Sequence, residues 1–265
     1  MIYILLPAFN EEASLHLLLE KISKIMNEHK YVYQVIVVDD GSADKTAEVL
    51  KQWSTRMPME IITHTLNRGL GETARDAFER AAAITDKQDI IIRLDADNTH
   101  EPFYIPQMIE KINNGFDVVI ASRFQPGGKM IGVNFYRAFI SYCANLILKL
   151  FFPIKGIKEY SCGFRAYRAG AVQAAIKIFG NNFIDLKGMG FTGTVEKLIK
   201  FRMLGAKITE IPFILRYDQK KSPSKMVTSI TTFGYLTLII KYVYPWGDIS
   251  KGWRKKISEY KKNRE

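Results

Sequence analysis

The sequence is poor in cysteine and contains no linker. Its 265 residues include two cysteines, Cys143 and Cys162, which allow one disulfide bond at most. This count excludes a small fold held together by disulfides, and we expect both thiols to be free. There is also no Pro/Ser-rich linker, low-complexity run or internal repeat. These absences leave an ordinary globular chain, whose 47% hydrophobic and 25% charged residues suffice for a sizeable core.

The sequence also lacks a run that predicts a membrane span. Within residues 133–154 the longest stretch without charge is 138–148, about half of the roughly 20 residues that a spanning helix needs. Residues 227–244 are interrupted by Lys241. Both stretches predict amphipathic helices that either lie on a membrane surface or pack on the protein's own core. The start of the chain, MIYILLP, has no basic residue, so we expect no signal peptide.

Positive charge is concentrated near the end of the sequence. Residues 216–265 contain 12 Lys and Arg against 4 Asp and Glu, whereas residues 1–215 contain 26 and 23. Such a tail suits anionic lipid or nucleic acid, or is only a solvated surface. No recognisable nucleic-acid-binding module accompanies it, so we expect no nucleic-acid partner. We predict one main domain over residues 1–225 and a basic, amphipathic appendage over residues 226–265 that could contact a membrane surface.

Short β-branched runs alternate with helical patterns through the first half of the chain. Strands are predicted at residues 2–6, 34–38, 60–63, 90–94, 117–121, 163–167 and 207–215. Helices are predicted near residues 11–28, 43–54, 70–84, 103–113, 133–152, 169–179 and 192–204, with a glycine-rich loop at 125–132. Continuous apolar strands separated by helices predict an α/β fold with a mostly parallel sheet flanked by helices. Ligands bind such sheets at the carboxyl ends of the strands, where the polar loops of this sequence fall.

The strongest chemical signal is the pair Asp95 and Asp97, directly after the strand at 90–94. Two carboxylates on a loop at a strand end can hold one Mg²⁺ or Mn²⁺, leaving coordination sites for phosphate oxygens and water. A solvated loop with an Asx turn would have the same spacing. Because other polar loops converge on the same edge, we favour the metal site.

Two further acidic loops follow the first two strands, at residues 7–12 and 38–42. Their carboxylates can accept hydrogen bonds from ribose hydroxyls or from NH groups of a base. Asn10 or Ser42 could instead cap the helix that follows, and the two roles are compatible.

Basic residues suited to a diphosphate form two groups. Arg123, Lys129, Arg137 and Arg165 make up the first, where a Gly-Gly-Lys turn lets the backbone approach a phosphate. Lys220, Lys221 and Lys225 make up the second, around a Ser-Pro-Ser loop that is otherwise simply solvated.

Seven motifs occur in a familiar order: PAFNEE, VVDDGSADKT, NRGLGETARDAF, RLDADNTHEP, ASRFQPGGK, SCGFRAY and SPSKM. In that order they resemble the inverting family-two glycosyltransferases with the GT-A fold, a Rossmann-like nucleotide-sugar-binding fold. Within these, the chain is most similar to the polyprenyl-phosphate sugar transferases typified by dolichol-phosphate mannose synthase. The resemblance runs from about residue 2 to residue 226 and makes residues 1–225 the catalytic domain.

The resemblance implies roles for individual residues. The nucleoside would be contacted by Pro7, Asn10, Glu11, Asp39 and Asp40. Asp95 and Asp97 would hold the metal against the donor diphosphate, Arg123 and Arg137 would contact phosphate groups, and Lys225 would close over the acceptor phosphate.

Two positions depart from the pattern. Thr99 stands where Gln or Ser is frequent, and Gln219 stands where an arginine is common, beside Lys220 and Lys221 as substitute point charges.

The reaction so implied moves a sugar from a GDP- or UDP-linked donor to a dolichyl or undecaprenyl phosphate. It would take place on the cytoplasmic face of a membrane, by a cytoplasmic, peripheral protein that could have a membrane partner subunit. The apolar side chains of residues 133–152 could then face the polyprenyl tail.

Two alternatives stay open: transfer to a sugar hydroxyl in polysaccharide or glycoconjugate synthesis, with Asp185 or Glu196 as the base, and a non-catalytic nucleotide-sugar-binding relative. The sequence names neither the base nor the sugar.

Overall fold

The computed structural model describes residues 1–223, 228–243 and 249–262. Strands and helices alternate along these ranges. The strands are β1 (Ile2–Ala8), β2 (Tyr33–Asp39), β3 (Met59–Thr63), β4 (Ile90–Arg93), β5 (Val118–Ser122), β6 (Lys129–Ile131), β7 (Arg165–Arg168), β8 (Ile208–Pro212) and β9 (Ile214–Arg216). The helices are α1 (Glu12–Glu28), α2 (Thr46–Trp53), α3 (Leu70–Ile84), α4 (Ile105–Asn113), α5 (Phe135–Phe151), α6 (Ala169–Phe179), α7 (Thr192–Met203), α8 (Thr228–Val243) and α9 (Ile249–Lys262).

The main sheet of the described ranges has seven strands in the order β3-β2-β1-β4-β7-β5-β8. β1 lies parallel to β2 and β4, with Ile4 level with Val35 on one side and Ile92 on the other. Every residue of β1 and β4 is buried, as expected for strands that helices cover on both faces. The prediction of an α/β fold with a mostly parallel sheet is confirmed.

Side chains of β1 alternate between two apolar cores. Ile4 and Leu6 pack with α1, α2 and α4 on one face of the sheet. Tyr3 and Leu5 pack with α3, α6 and α7 on the other face. This alternation follows from the period of two residues in a strand. It fixes the register of the central strands, because a slip of one residue would exchange the two faces.

Strand β7 runs antiparallel to both of its neighbours, β4 and β5. Its first residue, Arg165, pairs with Arg93 of β4 and with Ile120 of β5. The loop before β7 therefore lies at the carboxyl ends of β4 and β5. This reversal brings residues 159–164 next to the loops that carry Asp95 and Arg123.

The sequence prediction differs from the structure in the segments at 125–132 and 207–215. The predicted glycine-rich loop contains the short strand β6, and the predicted last strand is two strands, β8 and β9, separated by Phe213. β6 and β9 pair in parallel as a separate small sheet. The division occurs because Phe213 is fully buried against the rings of His100, Tyr104 and Phe164. Its burial turns the chain out of the main sheet.

The C-terminal helices pack on the same core as the preceding domain. Leu238 and Ile239 of α8 and Ile257 of α9 are buried in the cluster that includes α6 and α7. The predicted boundary between residues 225 and 226 lies outside the described residues. No helix in the described ranges combines the length and the apolar character that a membrane crossing requires. Cys143 and Cys162 are both free, as expected.

Candidate functional site

A cavity of about 810 Å³ lies at the carboxyl ends of the central strands. It extends from the loops after β1 and β2 to the facing sides of α5 and α8. Seven residues to which the resemblance gives a site role line it: Pro7, Glu11, Asp40, Asp95, Asp97, Arg123 and Arg137. Lys220 and Thr99, which the sequence analysis also named, line it as well. The predicted Lys225 lies outside the described residues.

Asp40 holds the loop that follows β3. Its Oδ1 accepts hydrogen bonds from the backbone N–H of Arg68 at 2.8 Å and lies 2.7 Å from Nδ1 of His64. Its Oδ2 accepts from the backbone N–H of Gly69 at 2.8 Å. Beyond His64, Asp76 receives a hydrogen bond from the Arg68 guanidinium at 2.8 Å. Asp40 is thus a fixed carboxylate at the end of the cavity where the resemblance puts the nucleoside.

Asn10 and Asp39 are not among the residues that line the cavity. The Asn10 side-chain oxygen accepts from the backbone N–H of Ala43 at 2.8 Å, and the Asn10 N–H donates to Ser42 Oγ at 2.9 Å. Asp39 accepts from the Ser42 N–H at 3.1 Å. Neither Asn10 nor Ser42 is the N-cap residue of α1 or α2, which are Glu11 and Lys45. The Asn10 side chain therefore connects the two loops, whereas the Asp39 side chain closes a turn within its own loop.

Asp95 and Asp97 both face the cavity, and each contacts a cation of the protein. Asp95 Oδ1 lies 2.6 Å from Nη2 of Arg93, which is buried beneath the loop. Asp97 Oδ1 accepts from the hydroxyl of Thr99 at 2.7 Å and from its N–H at 3.2 Å, so the Asx turn considered above is present. Asp97 Oδ2 pairs with the ammonium of Lys220. The turn and a pair of carboxylates that face the cavity therefore coexist.

The charges around Asp97 keep it ionised. Burial acts to raise the pKa of Asp97, but Lys220 and His100 outweigh burial and the pKa lies below its ordinary value. For Lys220, burial acts to lower the pKa, but the contact with Asp97 outweighs it and the pKa is raised. At neutral pH the two groups therefore form an ion pair.

The carboxylate pair fits a hard divalent cation. Both side chains offer carboxylate oxygens to the same cavity, and Asp97 already receives a positive charge there from Lys220. In the described ranges no cluster of three or more His, Cys, Asp or Glu side chains could hold a metal ion. A cation at this place would therefore complete its coordination with water and with phosphate oxygens of a ligand, as Mg²⁺ commonly does.

Arg123 is fixed by a buried carboxylate that the sequence analysis missed. Its Nε and Nη2 donate to the two carboxylate oxygens of Glu159 at 2.7 and 2.8 Å, and Nη2 also donates to Ser161 Oγ at 2.8 Å. Burial acts to raise the pKa of Glu159, but Arg123 outweighs it and that pKa is lowered. One edge of the guanidinium is thus taken by Glu159. No local pattern marks Glu159, because only the antiparallel entry into β7 brings it to Arg123.

The other three residues of the first predicted basic group do not lie together. Arg137, on α5, lines the cavity and donates to the hydroxyl of Tyr217 at 3.1 Å. Lys129 is exposed on β6 and is not among the lining residues. The prediction that Arg165 joins a diphosphate-binding group is wrong. Its side chain is fully buried in β7 and donates to the carbonyl oxygens of Thr194 and Tyr160 at 2.8 and 2.7 Å.

The two base candidates of the hydroxyl-acceptor alternative do not line the cavity. Glu196 is fully buried, and its Oε2 accepts from the N–H groups of Asp185 and Leu186 at 2.8 and 3.0 Å. Its Oε1 lies 2.8 Å from both Lys200 Nζ and the hydroxyl of Tyr242. Asp185 pairs with Lys241. Glu196 therefore holds the loop before α7 and attaches α8 to it.

Helices α5 and α8 form the apolar wall of the cavity, and the sequence analysis did not anticipate the share of α8. Tyr136 and Ile140 of α5 and Ile230 and Tyr235 of α8 line it. α8 approaches α7 closely at Gly234, where an added Cβ would lie 2.1 Å from Thr192 Oγ1. The outer sides of the two helices carry exposed apolar side chains: Phe135, Phe139, Leu146, Ile147, Leu150, Phe233, Leu236 and Ile240.

The chain is similar to known sugar transferases. A dolichol-phosphate mannosyltransferase of Pyrococcus furiosus is 31% identical over 249 residues, which are 94% of this chain and 65% of that protein. An undecaprenyl-phosphate mannosyltransferase of Micrococcus luteus is 31% identical over 227 residues, 84% of this chain and 86% of that protein. The chain thus spans somewhat less than two thirds of the length of the first relative and most of the second.

Solved structures share the fold. Glucosyl-3-phosphoglycerate synthase from Mycobacterium tuberculosis, in a crystal structure with Mg²⁺ and uridine diphosphate, aligns with a TM-score of 0.62 and 16% identity. The alignment covers 94% of this chain and 81% of that one. Residues 3–175 also match the family model described as glycosyl transferase family 2. The match spans more than half of the sequence and agrees with the motifs, so the chain belongs to glycosyl transferase family 2.

Proposed function

We propose that this protein transfers a sugar from a nucleoside-diphosphate sugar to a polyprenyl phosphate, in a metal-dependent, inverting reaction at a membrane surface. One observation carries the proposal. A single cavity contains the carboxylates Asp95 and Asp97, the cations Arg123 and Arg137, and the apolar wall of α5 and α8. A hydrophilic donor, an anionic acceptor group and a lipid chain each find matching chemistry in it.

The donor occupies the end formed by the loops after β1, β2 and β4. Pro7, Glu11 and Asp40 line the part for the nucleoside. Asn10 supports it by connecting the two loops, and Asp39 supports it by closing the turn to Ser42. Asp95 and Asp97 hold Mg²⁺ or Mn²⁺, which neutralises charge on the leaving diphosphate. The Mycobacterium relatives were solved with Mn²⁺ or Mg²⁺ and uridine diphosphate, which supports a divalent cation and a nucleotide donor here.

The acceptor phosphate lies near Arg123 and Arg137, which line the cavity beyond the carboxylate pair. One phosphate oxygen attacks C1 of the sugar, the new C1–O bond forms, and the old C1–O bond breaks with its electrons going to the nucleoside diphosphate. A phosphate is already ionised near pH 7, since its second pKa is about 6. This acceptor needs no general base, which agrees with the positions of Glu196 and Asp185 outside the cavity.

The exposed sides of α5 and α8 lie against the membrane. Phe135 is 85% exposed and Leu150 is 75% exposed. Contact of such large apolar side chains with water is unfavourable, and lipid that covers them would remove it. The relatives named for dolichol phosphate and undecaprenyl phosphate act on lipid-linked substrates, which supports this orientation. We assign the protein to the cytoplasmic face, as a peripheral enzyme that could act with a membrane partner subunit.

A transfer assay tests the proposal. The purified chain is incubated in detergent with Mn²⁺ or Mg²⁺, a short polyprenyl phosphate, and UDP- or GDP-linked sugars one at a time. We expect an acid-labile glycolipid from one nucleotide class, formed only with metal. Release of nucleotide without glycolipid would indicate that the acceptor is a hydroxyl group and not a phosphate. No release with any donor would favour a non-catalytic relative.

A further inference from the structure

The ammonium of Lys220 contacts the carboxylate that we assign to the metal. Lys220 pairs with Asp97 Oδ2, and the side chains are 10% and 14% exposed. Lys220 follows the short 3₁₀ turn Tyr217–Gln219 at the rim of the cavity. This contact has no place in the reaction as written above.

The two carboxylates differ in how firmly their cations are held. Arg93, on Asp95, is 3% exposed and fills the space beneath Gly163, where an added Cβ would lie 1.6 Å from Nη1. It cannot leave without the loop moving. Lys220 reaches Asp97 from the cavity side on a flexible four-carbon chain.

The residue next to Lys220 is tied to the carboxylate loop by its own side chain. The Gln219 side-chain oxygen accepts from Lys21 Nζ at 2.7 Å and from the side-chain amide of Asn98 at 3.2 Å. The segment therefore stays beside the carboxylate loop after the ammonium moves away. Asn98 is adjacent to Asp97, so both ends of the contact belong to one local unit.

The charges on the two carboxylates favour a movement of the Lys220 ammonium when a divalent cation binds. With Arg93 on Asp95 and Lys220 on Asp97, two positive charges match two negative ones. A divalent cation on the same carboxylates would meet the ammonium at close range, and like charges repel strongly in a site shielded from water. A donor diphosphate brings negative charge that the displaced ammonium can bind.

We propose that Lys220 occupies the place of the metal on Asp97 in the ligand-free protein, leaves Asp97 when a divalent cation binds, and then contacts phosphate oxygens in the same cavity. This inference rests on the proposed function, because it assumes the metal site. It makes Lys220 a competitor of the metal before the donor enters and a ligand of the donor afterwards. The first role weakens metal binding and the second strengthens phosphate binding, so removal of the ammonium should change the two affinities in opposite directions.

The test measures Mn²⁺ affinity of the full chain by electron paramagnetic resonance of free Mn²⁺, without nucleotide and at low salt. Lys220→Met should bind Mn²⁺ about tenfold more tightly than wild type, a difference of about 1.4 kcal/mol. Lys220→Arg, which keeps the charge, and Lys221→Met, which removes a neighbouring exposed charge, should bind Mn²⁺ like wild type. Equal or weaker binding by Lys220→Met would overturn the inference.

The second role is measured with saturating Mn²⁺ and inorganic pyrophosphate by titration calorimetry. Here Lys220→Met should bind pyrophosphate about fivefold more weakly than wild type, because a charge-assisted hydrogen bond is lost. A merely structural lysine would change both affinities in the same direction, and that result contradicts the exchange. If no variant binds Mn²⁺, the inference and the metal site both fail. Glycolipid formation by wild type with Mn²⁺ present then decides separately whether the sugar transfer itself takes place.

Discussion

The two ends of the cavity are built differently. At the donor end, polar side chains sit on short loops after buried strands and are held by hydrogen bonds, as Asp40 is by two backbone N–H groups and His64. At the acceptor end, the wall is made of two helices, and only Asn145 and Leu148 of the 17 residues of α5 are buried. A rigid donor end therefore faces an acceptor end whose apolar surface needs another surface to cover it.

Changes at the strand ends should therefore affect the donor and the metal, whereas changes in α5 and α8 should affect the lipid acceptor.

Asp97→Asn should lower glycolipid formation by about a thousandfold or more, because the metal loses a charged ligand at the leaving group. The fold should remain, since the side chain keeps its shape and its hydrogen bonds to Thr99 can persist. Turnover at saturating Mn²⁺ and the thermal unfolding midpoint check the two statements. Near-normal turnover in this variant would refute the metal assignment.

Glu159→Gln should lower the free energy of unfolding by about 3 kcal/mol, because Arg123 loses its buried counter-charge. The lowered pKa of Glu159 gives this effect a pH dependence. Its stabilising contribution is complete above the unfolded-state pKa of about 4.3 and is lost as the pH falls from there through the lower folded-state pKa. Urea unfolding from pH 6 to pH 3 measures it. The difference in free energy of unfolding between wild type and variant should decrease as the pH falls. A difference that stays constant would contradict the ion pair.

Gly234→Ala should raise the KM for polyprenyl phosphate about tenfold and leave the affinity for the nucleotide donor unchanged. An added Cβ would meet Thr192 Oγ1 and push α8 away from α7, which moves the wall of the cavity. Gly252→Ala is the matched control, because on α9 nothing lies within 4 Å of the added Cβ. That control should bind both substrates normally. If Gly234→Ala changed the donor affinity as much as the KM for polyprenyl phosphate, donor and acceptor would not bind at separate ends of the cavity.

Phe135→Ser should weaken binding to anionic lipid vesicles about fivefold, because one apolar side chain no longer enters the interface. Phe103→Ser removes a side chain of similar exposure, 72%, that lies outside α5 and α8. It should leave vesicle binding unchanged in a flotation assay. Both variants should unfold at the wild-type temperature. Loss of binding in both, or in neither, would show that the α5 and α8 surface is not the docking face.

The donor end was predictable because its signals are local. Asp40, Asp95 and Asp97 each follow a strand within a few residues, and the parallel-sheet rule places those loops at one edge. The Asn10 and Asp39 side chains, which the resemblance places at the nucleoside, are not among the lining residues: Asn10 connects the two loops and Asp39 closes a turn with Ser42.

The acceptor end depends on contacts between distant parts of the chain. The reversed direction of β7 buries Arg165 and brings Glu159 to Arg123 across 36 residues, and neither consequence has a local signature. The packing of α8 on α7 through Gly234 is equally invisible to periodicity. The sequence pattern likewise did not indicate that α8 contributes to the cavity.

The central claim is that the cavity joins a nucleotide-sugar donor to a lipid phosphate. The most direct measurement compares a short polyprenyl phosphate with the polyprenol of the same chain length as acceptors for wild type, with the donor sugar radiolabelled. We expect labelled glycolipid from the phosphate and none from the alcohol, because neither Asp185 nor Glu196, the two carboxylates considered as a base for a hydroxyl, lines the cavity. Equal transfer to the alcohol, or transfer to neither while a soluble sugar acceptor is labelled, would contradict it.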